Sequence, residues 1–167
     1  MNRILASVVS TALLFVLSHA AFAQDAASQI VGVWKAVDIS VKEIDSGKVE
    51  KPYGEKPTAY FIYTRGGRFS WTFVSESRKK PASAILTDAE RIELFKTMSF
   101  GTGTYKVEGN KVVYKYDSSH HHAWAGVERT TQLPALTATT MISTSAPFKH
   151  PVTGVDLVSV QTFERLE

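Results

Sequence analysis

The chain has 167 residues, carries no cysteine and has a formal net charge of +3. Without thiols no disulfide can staple the fold in an oxidising compartment and no lipid can be attached at a cysteine, so a hydrophobic core must hold the structure. The basic surplus is small and scattered, without the basic stripe interleaved with aromatics that nucleic-acid binding requires, and phosphate-cradling glycine motifs are absent.

Residues 1–23, MNRILASVVSTALLFVLSHAAFA, set a basic Arg3 before an apolar run from Ile4 to Leu17 and close on small residues at Ala21 and Ala23. This is the pattern of a secretory signal peptide cleaved after Ala23. A membrane span needs about 20 apolar residues, whereas this run has 14, with Ser7, Ser10 and Thr11 inside it. A periplasmic or secreted protein with no membrane span after cleavage is expected. Removing 23 of 167 residues leaves 144, about one domain, able to bury roughly two thirds of its unfolded surface. A linker is expected at 24–30 and the domain at 31–167.

From Val31 onward, short runs of Val, Ile, Tyr, Phe, Trp and Thr alternate with Gly, Pro, Asn and Asp. Eight such runs read as strands, at about 31–42, 58–64, 68–74, 101–107, 111–117, 124–132, 136–144 and 155–165. Asp45-Ser46-Gly47, Arg65-Gly66-Gly67, Glu108-Gly109-Asn110 and Leu133-Pro134-Ala135 supply the turns, and strands joined so tightly run antiparallel. An all-β sandwich or up-and-down barrel follows.

One segment departs from this pattern. LTDAERIELFKTM, residues 86–98, offers Thr87 as a helix N-cap with Glu90 three residues on, the reciprocal capping box. Its apolar stripe of Ala89, Ile92, Phe95 and Met98 needs a surface to lie on. This short helix falls between the third and fourth of the eight strands, where it could plug or lid one end of a barrel. The preceding Ser77-Arg78-Lys79-Lys80-Pro81 cluster reads as a solvated loop. Residues 145–157, with two prolines and a glycine, read as a long loop before the last strand.

Within 68–74, Phe69, Trp71 and Phe73 share one face of the strand while Ser70 and Thr72 share the other. The three rings either fill the interior of an eight-stranded barrel, which is just wide enough for side chains, or wall a pocket for a small apolar ligand. A barrel filled at one end and open at the other would satisfy both readings.

DSSHHHAW, residues 117–124, presents three adjacent histidines. On an extended strand His120 and His122 would face the same side, with Asp117, Glu128 or His150 as a third metal ligand. A built metal site, however, draws its ligands from separated, rigid positions with supporting hydrogen bonds, which the sequence does not indicate, so no metal or other cofactor is expected. A histidine at a barrel mouth touching a ligand is the alternative. Ser118, His122 and Glu128 make a catalytic triad on paper only, without a nucleophile elbow.

The resemblance to a known family rests on four motifs. The Gly32-x-Trp34 pair in VGVWKAV resembles the signature of the lipocalin superfamily, in which a late-strand arginine, here Arg165 of FERLE, stacks on the tryptophan. KPYGEKPTAYFIYTRGGRFS, GTYKVEGNKVV and WAGVE resemble the Pro-Tyr-Gly, Gly-Thr-Tyr-x-Val and Trp-x-Gly segments of the bacterial and fungal lipocalin-like domain family. Together they cover most of residues 31–133. The resemblance implies an eight-stranded, antiparallel, calycin-like up-and-down barrel, and it leaves the ligand open. Thr131 stands where the family often carries an arginine, with Arg129 two residues earlier on the same face, and Tyr114 stands near a position that is often histidine in relatives.

The reading is an exported, monomeric or weakly dimeric barrel that binds a small hydrophobic or amphipathic molecule. Tyr60, Phe69, Trp71, Phe73, Tyr105, Tyr114 and Trp124 are the expected wall, His122 and Arg129 the expected polar contacts, and Gly32, Trp34 and Arg165 the structural residues. Two alternatives stand beside it: lumenal acid–base catalysis by His122 with Tyr105 or Tyr114, and a filled barrel acting as a structural or interaction protein.

Overall fold

The computed structural model of the protein describes residues 26–150 and 153–167; the expected signal peptide lies outside the described residues. Ten strands form one antiparallel sheet: β1 (Gly32–Glu43), β2 (Val49–Glu50), β3 (Thr58–Tyr63), β4 (Arg68–Val74), β5 (Met98–Glu108), β6 (Lys111–Ser119), β7 (Glu128–Leu136), β8 (Thr140–Ser145), β9 (Phe148–Lys149) and β10 (Asp156–Arg165). Their spatial order is β2-β1-β3-β4-β5-β6-β7-β8-β10-β9, and β1 also pairs with β10, which closes the sheet into a barrel. Apart from the two-residue strands β2 and β9, the eight long strands follow one another around the barrel in chain order, the up-and-down arrangement. An α-helix, α1 (Asp88–Lys96), stands between β4 and β5. These are the third and fourth long strands, as the sequence indicates.

Alternation decides what fills the barrel. In β3, Ala59, Phe61 and Tyr63 are buried and Thr58, Tyr60 and Ile62 are exposed; in β4, Phe69, Trp71 and Phe73 are the buried set. The β3–β4 register puts Phe61 opposite Trp71 and Tyr63 opposite Phe69, so one hairpin delivers five of the largest inward rings. Gly67, at φ +73°, makes its turn.

Two expectations are corrected here. The sixth and seventh of the eight expected strands, β7 and β8, begin about four residues later than the sequence suggests, with their turn at 137–139, where the Thr137 amide donates to the Thr140 carbonyl at 2.8 Å. Pro134 does not break β7, because it sits where the β7–β8 register shifts between Gln132 and Ala135, a point at which a missing N–H costs no ladder bond. Residues 124–127, expected to open that strand, instead follow β6 through a 3₁₀ turn at His122–Trp124.

The second correction concerns α1. Its capping box forms as expected, with the Thr87 hydroxyl accepting from the Glu90 amide at 3.3 Å and the Glu90 carboxylate accepting from the Thr87 amide at 2.8 Å. No residue of the helix is buried, however, and Ile92 and Phe95 remain 53% and 57% exposed. The apolar stripe meets the barrel only at its far end, where Phe95 packs on His120 and Met98 opens β5. The helix is nine residues long and is held at its C-terminal end: Arg78, from the basic loop, donates to the Leu94 carbonyl at 2.6 Å, and Phe95 stacks on His120 with ring centroids 4.1 Å apart.

One end of the barrel is shut. Residues 26–29, in the segment expected as a linker, are helical, and Ile30 and Trp34 are fully buried. The Trp34 indole donates to the Ile30 carbonyl at 2.8 Å. The Arg165 guanidinium lies 4.1 Å above the Trp34 ring and donates to the carbonyls of Val31 at 2.6 Å and Ala138 at 2.5 Å, and to that of Gln29. Gly32, at φ +140°, passes so close that an added Cβ would strike the Arg165 guanidinium and the Glu167 carbonyl.

Candidate functional site

Above this floor the interior is packed by rings. Phe61 stacks on Tyr63 at 4.5 Å, Tyr63 meets Tyr105 edge-on at 4.9 Å, and Phe69 meets Tyr114 edge-on at 4.9 Å. The Tyr63 and Tyr114 hydroxyls bond each other at 2.5 Å, and the Tyr105 hydroxyl donates to the Thr64 carbonyl at 2.9 Å. Loss of hydration on burial raises the hydroxyl pKa of Tyr63 and Tyr114, so both hold their protons across the physiological range. These hydroxyls tie the packed half together.

The opposite half is hollow. A cavity of about 350 Å³ is lined from below by Phe61, Tyr114 and Tyr116, along its sides by Trp71, Phe73, Ile39 and Trp124, and at its mouth by Tyr53, Met98 and Phe148. Its volume falls in the range of small-molecule sites, roughly 300–1,000 Å³. The Pro-Tyr-Gly turn has its role here. Gly54, at φ +82°, reverses the chain, the Glu76 carboxylate accepts from the Glu55 and Lys56 amides at 3.0 and 3.2 Å, and Tyr53 is thereby aimed inward. Its ring meets Phe73 edge-on at 5.6 Å, and its hydroxyl bonds that of Ser99 at 2.5 Å.

Polar groups gather on the β6–β7 side. The Arg129 guanidinium lies 4.2 Å over the Trp124 ring, and His121 stacks on the same indole at 5.7 Å. His120 lines the cavity between Phe95 and Phe100. Desolvation, helped by the nearby His121, lowers the pKa of His120, and its Nδ1 is buried without a hydrogen-bond partner among the described residues.

Over residues 31–145 the chain matches the profile of the lipocalin-like domain. The chain belongs to the lipocalin-like domain family. No curated protein matches its sequence significantly. Among solved structures, a lipocalin-like protein from Bacteroides uniformis is similar with a TM-score of 0.46 and 12% identity, over 83% of this chain and 99% of the other. Bovine odorant binding protein, solved with a selenium-containing odorant, gives a TM-score of 0.44 and 12% identity over 84% of this chain and 73% of its own. A redesigned β-barrel gives 0.40 and 14% over 85% and 96%.

In this lipocalin-like barrel, Trp71, Phe73, Tyr114, Trp124 and Arg129 all line the cavity. Phe69 and Tyr105 are buried beneath it in the packed half. Tyr60 faces out of the barrel, 37% exposed, because the inward set of β3 is Ala59, Phe61 and Tyr63. His122 is exposed and lies outside the cavity; β6 ends at Ser119, and the 3₁₀ turn removes the two-residue strand alternation that would have paired it with His120. The imagined pairing of His122 with Tyr105 or Tyr114 is therefore not assembled. Tyr53, Phe61, Tyr116 and Phe148 line the cavity without being expected there, and of the two end histidines of the HHH run it is His120, not His122, that reaches it. The parity of Trp71 together with the β3–β4 register would have found Phe61, but nothing in the sequence marks where β6 stops.

Among the described residues, no group of three His, Asp or Glu side chains is placed to hold a metal ion, and no helix is long and apolar enough to cross a membrane.

Proposed function

We propose that this is an exported binding protein that holds one small hydrophobic or amphipathic molecule in the open half of its barrel. The observation that carries the reading is the contrast between the two halves: rings pack one end solid, while a cavity of about 350 Å³ with an aromatic wall occupies the other. Burial of apolar ligand surface against Trp71, Phe73 and Phe61 would supply the affinity, at roughly 25 cal/mol per Å² removed from water. The hydroxyls of Ser99, Ser143 and Tyr53 offer orienting hydrogen bonds. The signal-peptide pattern of residues 1–23 supports a role outside the cytoplasm.

A fluorescent fatty-acid analogue titrated into the mature protein tests the reading, beside a variant whose lumen is narrowed. Ser143 lines the cavity and is 5% exposed, so Ser143→Phe directs a ring into empty space. Saturable uptake at one molecule per chain, weakened at least about tenfold in Ser143→Phe, is expected. Equal uptake by both proteins would mean that the probe binds elsewhere.

A further inference from the structure

The polar lining of the cavity is charged in one direction only. No Asp or Glu lines it, whereas Lys96, Arg129 and two histidines do. Lys96 sits on the exposed helix and is paired with Glu93 at 3.4 Å, so its charge is answered there. Arg129 is different. Among the described residues its guanidinium makes no ion pair and no hydrogen bond; what holds it is the face of Trp124, 4.2 Å away. A stacked guanidinium uses its face and keeps its N–H donors free in the plane. His121 shares the Trp124 ring. A half-buried, permanently charged fork with no counter-charge costs free energy until an anion meets it.

We infer that the Arg129–Trp124 side of the cavity receives the oxyanion head group of an amphipathic ligand, whose apolar tail lies against Phe61, Trp71 and Phe73. The planar fork matches a carboxylate, sulfate or phosphate edge in two parallel hydrogen bonds. The assignment rests on the ligand occupying the lumen and adds the class of its head group.

Four probes with similar linear tails test it: decanoate, decyl sulfate, decanol and decyltrimethylammonium. Each is titrated calorimetrically at neutral pH into the mature protein and into Arg129→Gln and Arg129→Lys, with circular dichroism confirming that the variants fold. The wild type should bind one or both anions roughly tenfold to a hundredfold more tightly than decanol, the range of a charge-assisted hydrogen bond. The stronger of the two identifies carboxylate or sulfate chemistry. Arg129→Gln should lose the preference while still binding decanol, and Arg129→Lys should keep part of it. Equal affinity for decanoate, decyl sulfate and decanol, or a preference for the ammonium, overturns the head-group assignment and leaves lumen occupancy standing. An anion preference that survives in Arg129→Gln overturns the role of Arg129. Uptake of none of the four overturns both.

Discussion

Arg165 joins three parts of the chain at one point, donating to carbonyls of the segment before β1 and of the β7–β8 turn while covering Trp34. Its replacement by alanine strips a cation–π contact and leaves those carbonyls without a donor. Arg165→Ala should cost about 2 kcal/mol, read as a lower urea midpoint with an unchanged slope. The buried hydroxyl pair gives a sharper test. Tyr63 has Tyr114 as its bonded partner, whereas Tyr114 also has the Thr131 hydroxyl at 3.4 Å. Tyr114→Phe therefore strands a buried hydroxyl and should cost about 1–2 kcal/mol, more than Tyr63→Phe. The double variant should recover part of that loss, and the pair should be non-additive in a double-mutant cycle.

Elements differ in how firmly the sequence dictates them. The β4 strand is legible because Phe69, Trp71 and Phe73 alternate with serine and threonine, leaving one choice of inner face. Its neighbour β3, TAYFIY, carries apolar or aromatic residues on both faces. Either parity satisfies burial, which is why Tyr60 reads as wall when it is surface. The β7–β8 turn was obscured for a different reason: Pro134 normally punctuates a chain, and only the register shift beside it explains why the strand runs on. The floor of the barrel was the most legible part, since Gly32, Trp34 and Arg165 meet where the motif implies. The polar wall was the least legible, because it depends on the abrupt end of β6. The helix offers its own prediction. Thr87 caps α1, yet the helix buries no residue, so Thr87→Ala should speed amide exchange across 88–96 while leaving the global unfolding midpoint nearly unchanged.

Seen whole, the barrel is a solid half that supplies stability and a hollow half that supplies space, and its response to pH should come mainly from the first. Burial holds the Tyr63 and Tyr114 hydroxyl pKa values above their unfolded value of about 10. The protonated form is favoured in the fold, so this contribution is complete below about pH 10 and is lost as pH rises toward the folded values. Stability should fall above that point, with phenolate absorbance from the buried pair appearing only as the chain unfolds. On the acid side, His120 is held neutral mainly by desolvation. Its folded pKa lies below the unfolded value of about 6.5, so its contribution is complete above that pH and is lost as pH falls through the folded value. The loss should be smaller in His120→Phe. For the hollow half, the most direct measurement is native mass spectrometry of the mature protein purified from its own host, with the released small molecules identified. One lipophilic passenger per chain, displaced by the fluorescent fatty-acid analogue, is the expected result. A bare chain whose mass does not change on incubation with that analogue would contradict carriage in the lumen.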